Sequence, residues 1–277
     1  VMTATPIPRS LALTQYGDMD LSVLDEKPPG RTPVQTALMG TDRLEAVIAH
    51  LQKAIAQGRQ AYWVCPLVEE SETVPMTAAE QRFAALRARL GDDLVGLVHG
   101  QMPPDRKDAE MARFVAGDTR VLVATTVIEV GVDVPNASIM VIEGAESFGL
   151  AQLHQLRGRV GRGAEKSTCL LLYSGALSES AKRRLTLLRD TEDGFRIAEE
   201  DLAMRGAGDM IGVAQSGLPR FRVADLETQT GLMEIARDDA RTFLSLDPGL
   251  NAPRGQAVRS LLWLLEQEKA LAFLRAG

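Results

Sequence analysis

From Pro33 to Tyr173 the chain alternates short apolar runs with stretches whose apolar residues recur every three or four positions. The runs Val34–Met39, Tyr62–Leu67, Leu94–Val98, Val121–Ala124, Ile139–Ile142 and Cys169–Tyr173 are strand-length and are predicted as strands. Between the first two, Leu44, Val47, Ile48, Leu51 and Ile55 share one face of a helix predicted over Asp42–Gln57. Asp42 is placed to cap it and Gly58 to stop it. A second helix is predicted over Pro104–Ala116, with proline at its start and Gly117 at its end. Strands alternating with helices imply right-handed βαβ units. The predicted fold class is therefore α/β, a parallel sheet flanked by helices.

Beyond Tyr173 the strand signal stops. Ser178–Arg189 and Gly194–Met204 read as two helices joined by a turn at Asp193 and Gly194. Ala224–Leu246 and Gln256–Arg275 read as two more. Gly206 to Gly217 holds four glycines and is predicted not to form regular helix. The segment before Pro33 reads as irregular and ends in Pro28-Pro29-Gly30. Three parts follow: residues 1–30 as a tail and linker, 31–175 as the sheet domain, and 176–277 as a mostly helical appendage.

Charge sharpens this outline. The 277 residues carry a net charge of −6. Yet Gln155 to Arg189 contains eight lysines and arginines against Glu165 and Glu179. A focused basic face on an acidic body suits a phosphate or DNA-backbone site better than general polyanion binding. Cys65 and Cys169 each sit in an apolar run without metal-ligand spacing, as small core residues do in a reducing compartment. No run of 18 apolar residues is present that would span a membrane. A cytoplasmic location without membrane partners is expected.

The basic face centres on Gln155-Leu-Arg-Gly-Arg-Val-Gly-Arg162, with Arg157, Arg159 and Arg162 close together and Gly158, Gly161 and Gly163 among them. Guanidinium forks match phosphate oxygens, and glycines let backbone approach a bulky anion. Three clustered arginines alone would equally describe a solvated basic turn. The segment Thr125-Thr-Val-Ile-Glu-Val-Gly-Val-Asp133, upstream, tips the balance.

Together these segments resemble the last two motifs of superfamily 2 helicases. Thr3–Arg9 (T-A-T-P-I-P-R), Leu24–Arg31 (L-D-E-K-P-P-G-R) and the Arg205–Gln215 region extend the resemblance over nearly the whole chain, weakening after about Asp247. It is strongest to members that remodel branched DNA. It implies a RecA-like second motor domain. It makes Arg159 and Arg162 arginine fingers, with Gln155, Gly131 and Asp133 on the nucleotide. Thr125 and Thr126, with His99 and Gly100 in the next strand-end turn, would hold the DNA backbone. Arg184, Arg205 and Gln215 would couple ATP state to translocation along duplex DNA. The residues alone leave plainer readings open: Asp133 as a turn residue, Thr125 as an N-cap, His99 as structural, Arg205 as a helix C-cap and Gln215 as surface. Where many relatives have Arg-Gly-Pro-Gly-Glu, this chain has Arg205-Gly-Ala-Gly-Asp209.

No lysine follows a glycine, so the G-x-x-x-x-G-K-[ST] phosphate cradle is absent. Leu21–Glu26 is a poor acidic Mg²⁺ strand because Lys27-Pro-Pro-Gly30 follows at once. The resemblance thus implies the C-terminal motor half of a monomeric, ATP- and Mg²⁺-dependent helicase acting on stalled forks and Holliday junctions. Its start would lie inside the first motor domain, and the chain alone would be inactive. The alternatives are a protein-displacing translocase, like the transcription-repair coupling factor, and a non-catalytic RecA-like binding module.

Overall fold

The computed structural model describes residues 32–66, 78–125, 134, 136–161, 163, 166–212 and 230–265. They fall into two compact units that divide after Arg205. The first holds six parallel strands: β1 (Gln35–Gly40), β2 (Gln60–Val64), β3 (Val95–Val98), β4 (Val121–Ala124), β5 (Ala137–Ile142) and β6 (Thr168–Tyr173). Their order across the sheet is β1-β6-β5-β2-β4-β3. All six are the predicted strands, shifted by a few residues at their ends.

Successive side chains of a strand point to opposite faces, so each strand feeds two cores. Tyr62, Val64, Leu122, Met140, Ile142 and Leu171 enter one core. They meet Phe114 of α3 (Pro104–Ala116), Leu150, Leu153 and Leu156 of α4 (Leu150–Arg157), and Leu185 and Leu188 of α5 (Glu179–Asp190). Ala61, Trp63, Val121, Val123 and Val141 enter the other. There they meet Val47, Ile48 and Leu51 of α1 (Leu44–Ala56) and Leu86 of α2 (Ala78–Leu90). With both faces covered, the strands read as continuous apolar runs, as in other parallel sheets.

Local chemistry sets several helix ends. Pro104 begins α3, and Gly117 closes it in the left-handed conformation, φ 83°. Buried Gln60 donates to Phe114 O and to Thr119 O, tying this end of α3 to β2. Ser178 caps α5, its Oγ accepting from Ala181 N at 3.2 Å. Asp42 does not cap α1. It lies inside a 3-10 turn, Thr41–Arg43, and Arg43 takes the N-cap position.

The helix expected to end at Met204 continues. α6 runs Gly194–Gly212, through Gly206 and Gly208. Glycine costs about 1 kcal/mol in a helix interior relative to alanine, but does not forbid helix. A helix already formed upstream extends one hydrogen bond per residue fixed, so isolated glycines do not break it. The glycine-rich stretch is therefore helical as far as Gly212; Gly217 lies outside the described residues. α2 and α4 were not anticipated as helices. Ile197 of α6 lies in the same core as α5 and the sheet. In the second unit, α7 (Thr230–Leu246) falls within the helix predicted over Ala224–Leu246, and α8 (Pro253–Leu264) overlaps that predicted over Gln256–Arg275 but starts three residues earlier. No described helix is long and apolar enough to cross a membrane.

Candidate nucleotide and DNA site

The carboxyl edge of the sheet carries the first group of predicted residues. Val98 pairs with Ala124 in the β3–β4 register, which sets His99 beside Thr125. Thr125 N donates to Val98 O at 3.3 Å. The following turn is held twice: Met102 N donates to His99 O, and Lys107 Nζ to Gly100 O at 2.8 Å. Gly100 is exposed and His99 half-buried. Thr125 is 3% exposed, and its Oγ1 has no hydrogen-bond partner among the described residues. Strand ends of open parallel sheets are where ligands gather.

Arg184 of α5 reaches the same edge. Its Nη2 donates to Glu146 O at 2.8 Å, in the 3-10 turn Ala145–Ser147 that follows β5. Glu146 Oε1 in turn accepts from Ser174 N at 3.1 Å, at the end of β6.

The arginine motif lies elsewhere. α4 ends at Arg157, and the turn after it returns to the start of β6. A Cβ on Gly161, whose φ is +80°, would meet Val34 Cγ2 at 2.8 Å, and Val34 immediately precedes β1. The turn is thus packed at the amino edge, and only glycine fits there. Its backbone is fixed by Arg159 N donating to Leu156 O and Val160 N to Arg157 O. Gln155, in the last turns of α4, and Arg159, on the turn, are half-buried. The fold therefore separates Gln155 and Arg159 from His99, Gly100 and Thr125 by the length of the strands. Thr126, Gly131, Asp133, Arg162 and Gln215 lie outside the described residues, as does the side chain of Arg205.

Two features had not been singled out. Arg157, which the sequence places in the arginine cluster without a role of its own, is 3% exposed. Its Nη1 donates to Leu188 O and to Thr191 O, the latter at 2.8 Å, and Nη2 lies 3.0 Å from His154 Nδ1. Burial draws its pKa below the usual value, with Cys169 and Glu192 pulling it back up. The signal was present: Leu150, Leu153 and Leu156 mark the buried stripe of α4, and residue 157 continues it.

The second is a cluster at the ends of β2 and β5. Arg82 of α2 grips Glu143 with two hydrogen bonds, 2.7 and 2.6 Å, while Trp63 Nε1 donates to Glu143 at 2.9 Å. The Arg82 guanidinium lies over the Trp63 ring at 5.4 Å. Burial pushes the Glu143 carboxyl up, but the Arg82 and Trp63 hydrogen bonds and the Arg82 charge outweigh it. The net pKa is below the usual 4.5. A carboxylate with a depressed folded-state pKa stabilises above its unfolded value and loses that contribution as pH falls through the folded one. Thermal melts of the chain should therefore show a stability loss below about pH 4.5 that Glu143→Gln lacks. Arg82→Ala should cost about 3 kcal/mol in denaturant unfolding at pH 7, since it leaves a half-buried carboxylate unpaired. An Arg82→Ala variant as stable as the parent would reduce the cluster to surface decoration. Burial also pushes the Cys65 and Cys169 thiols up to about 12, so neither is a nucleophile.

These features define a class: a second RecA-like helicase domain extended by a helical hairpin. The profile described as "Helicase conserved C-terminal domain" matches residues 42–164. That described as "ATP-dependent DNA helicase RecG, domain 3, C-terminal" matches residues 191–270. The chain is 56% identical over 239 residues to the ATP-dependent DNA helicase RecG of Escherichia coli K12, covering 86% of this chain and 34% of the relative. It is 46% identical over 262 residues to that of Bacillus subtilis 168, covering 94% of the chain and 38% of the relative. A solved structure of RecG bound to a three-way DNA junction superposes with a TM-score of 0.66 and 45% identity, covering 83% of the chain and 30% of that protein. A CRISPR-associated protein, 19% identical with a TM-score of 0.50, shares the fold. The chain belongs to the RecG family and spans about a third of the length of these relatives.

Proposed function

We propose that the chain supplies the second motor domain and coupling region of an ATP-dependent double-stranded DNA translocase and helicase. It acts in recombination and repair on branched DNA such as stalled forks and Holliday junctions. The observation that carries this reading is the 45% identity, over 83% of the chain, to a RecG bound to a three-way DNA junction. The named relatives are ATP-dependent DNA helicases. The protein works in the cytoplasm as a monomer, with ATP as substrate and Mg²⁺ held mainly by the first motor domain. The division at residues 30/31 and 175/176 stands as part of this proposal.

Each group has one task. Arg159 and Arg162 present guanidinium donors to the transferring phosphoryl group, where charge is spread over its oxygens in the transition state. Gln155, Gly131 and Asp133 hold the nucleotide beside them. The donor chemistry fits: a glycine-bearing turn with guanidinium and amide groups is suited to phosphate oxygens. At the other edge, Thr125, Thr126, His99 and Gly100 grip the DNA backbone, a contact that positions without reading sequence. Arg184, Arg205 and Gln215 transmit the state of the first group to duplex DNA.

The division of labour has a direct test. The purified 277-residue chain should show no Mg²⁺-dependent ATP hydrolysis above background, because it has no phosphate cradle. A full-length RecG bearing this sequence should unwind a three-way junction only with ATP. Hydrolysis by the isolated chain, with contaminants excluded by a finger variant, would refute the assignment.

A further inference from the structure

The amino edge holds a contact that none of these tasks uses. Arg157 belongs to the arginine motif by sequence, yet its side chain turns away from the finger turn into the protein. It donates to Leu188 O, in the last turn of α5, and to Thr191 O, in the linker between α5 and α6. These are carbonyls of a helix C-terminus, where no intrahelical donor remains and the helix dipole favours a cation. The neighbouring Glu192 accepts from Val34 N at 2.5 Å, and Val34 is the residue that Gly161 packs against. Arg157 is also the root of the finger turn, its own carbonyl accepting from Val160 N. One residue thus holds the turn with its backbone and the helical hairpin with its side chain.

We propose that Arg157 is the positioning residue that joins the finger turn to the α5–α6 hairpin, so that displacement of the turn on nucleotide binding is delivered to the hairpin at the Leu188–Glu192 corner. Three properties suit it to this. One nitrogen, Nη1, donates to both carbonyls while Nη2 lies against His154 Nδ1 of α4, so the planar group is held from both sides and cannot swivel as a single bond would. It is buried, so water does not replace the bonds when they are strained. And α5 is a rod of roughly 18 Å, by helical rise, packed on the sheet through Leu185 and Leu188, and its Arg184 reaches Glu146 O at the opposite sheet edge. Motion at the Leu188 end is thereby carried toward the edge that bears His99 and Thr125. The inference rests on the finger reading of Arg159.

The test uses a full-length RecG bearing this sequence. Arg157→Lys keeps the charge but is shorter and loses the second nitrogen, so it cannot meet His154 and the Leu188 and Thr191 carbonyls together. Three-way-junction unwinding should fall about tenfold, the size expected for a lost coupling contact. DNA-stimulated ATP turnover should stay within about threefold of the parent. In the unmutated protein, a non-hydrolysable ATP analogue should change amide hydrogen exchange at residues 187–193, and Arg157→Lys should abolish that change. A parallel fall of both activities would place Arg157 in the nucleotide site or the fold and overturn the proposal. Unaltered unwinding, or no exchange response in the unmutated protein, would overturn it too. Arg159→Ala in the same protein is the control: if it left turnover intact, the finger reading itself would fail, whatever Arg157 does.

Discussion

Arg162→Ala in a full-length RecG bearing this sequence lowers kcat for ATP hydrolysis by at least about 10³-fold, and Arg159→Ala does so comparably. The expectation comes from what the motif must do at that turn. A guanidinium reaching the transferring phosphoryl group stabilises charge that develops only in the transition state, so its loss falls on kcat more than on KM. Arg159 sits on a rigid support: its backbone N–H is bonded to Leu156 O, and α4 is anchored by Leu150, Leu153 and Leu156. Lysine should rescue poorly, because a point charge does not reproduce a bidentate fork. Steady-state kinetics with saturating DNA checks this. Turnover within a few-fold of the parent would make both arginines structural.

The coupling residues should behave in the opposite way. Arg205→Ala or Gln215→Ala should leave DNA-stimulated ATP hydrolysis substantial while translocation and fork unwinding fail. Both residues follow the sheet domain in sequence, beyond the last strand at Tyr173. On the proposed reading their part is to bias an element that has two arrangements, and a mechanical link of that kind can be cut without touching the chemistry. Parallel ATPase and junction-unwinding assays separate the cases. If both activities fell together, the residues would belong to the ATP site or to the fold; if neither fell, they would lie off the coupling path. A helix C-cap role for Arg205 is already excluded, because α6 continues past it to Gly212. The continuation of α6 through Gly206 to Gly212 bears on the cause of any loss. Freedom of a glycine-rich loop cannot explain coupling where the backbone is helical, so the link must run through the helix itself or through residues after it.

The two edges of the sheet give this arrangement its logic. On the proposed reading the finger turn is at the amino edge and the DNA-gripping turns are at the carboxyl edge, and α5 contacts Arg157 near its C-terminal end and Glu146 through Arg184. ATP-driven movement at one edge therefore needs a solid element to reach the other, and a packed helix provides it because cores shift as units.

The sequence by itself determined the strands, the parallel sheet and the family. A strand buried on both faces must be apolar throughout, so it shows as an unbroken run. Helix ends with proline and glycine are equally local, as at Pro104 and Gly117. The arginine motif was legible for the same reason: its residue types are adjacent in the chain. Tertiary structure alone decided what Arg157, the arginine given no finger role, bonds to. Arg157 and Arg159 are two positions apart and chemically identical, yet one is sealed against the carbonyls of a helix some thirty residues later while the other stays half-exposed. Nothing local encodes a partner that distant. The same holds for Glu143, whose neighbours Trp63 and Arg82 come from other elements, and for the separation of Thr125 from Arg159, which depends on which end of a strand each residue follows. α4 escaped notice because its eight residues are too few to establish a helical period. The helix through Gly206 was misjudged because propensity is a per-residue cost of about 1 kcal/mol, and a helix already anchored by Ile197 in the core extends past it.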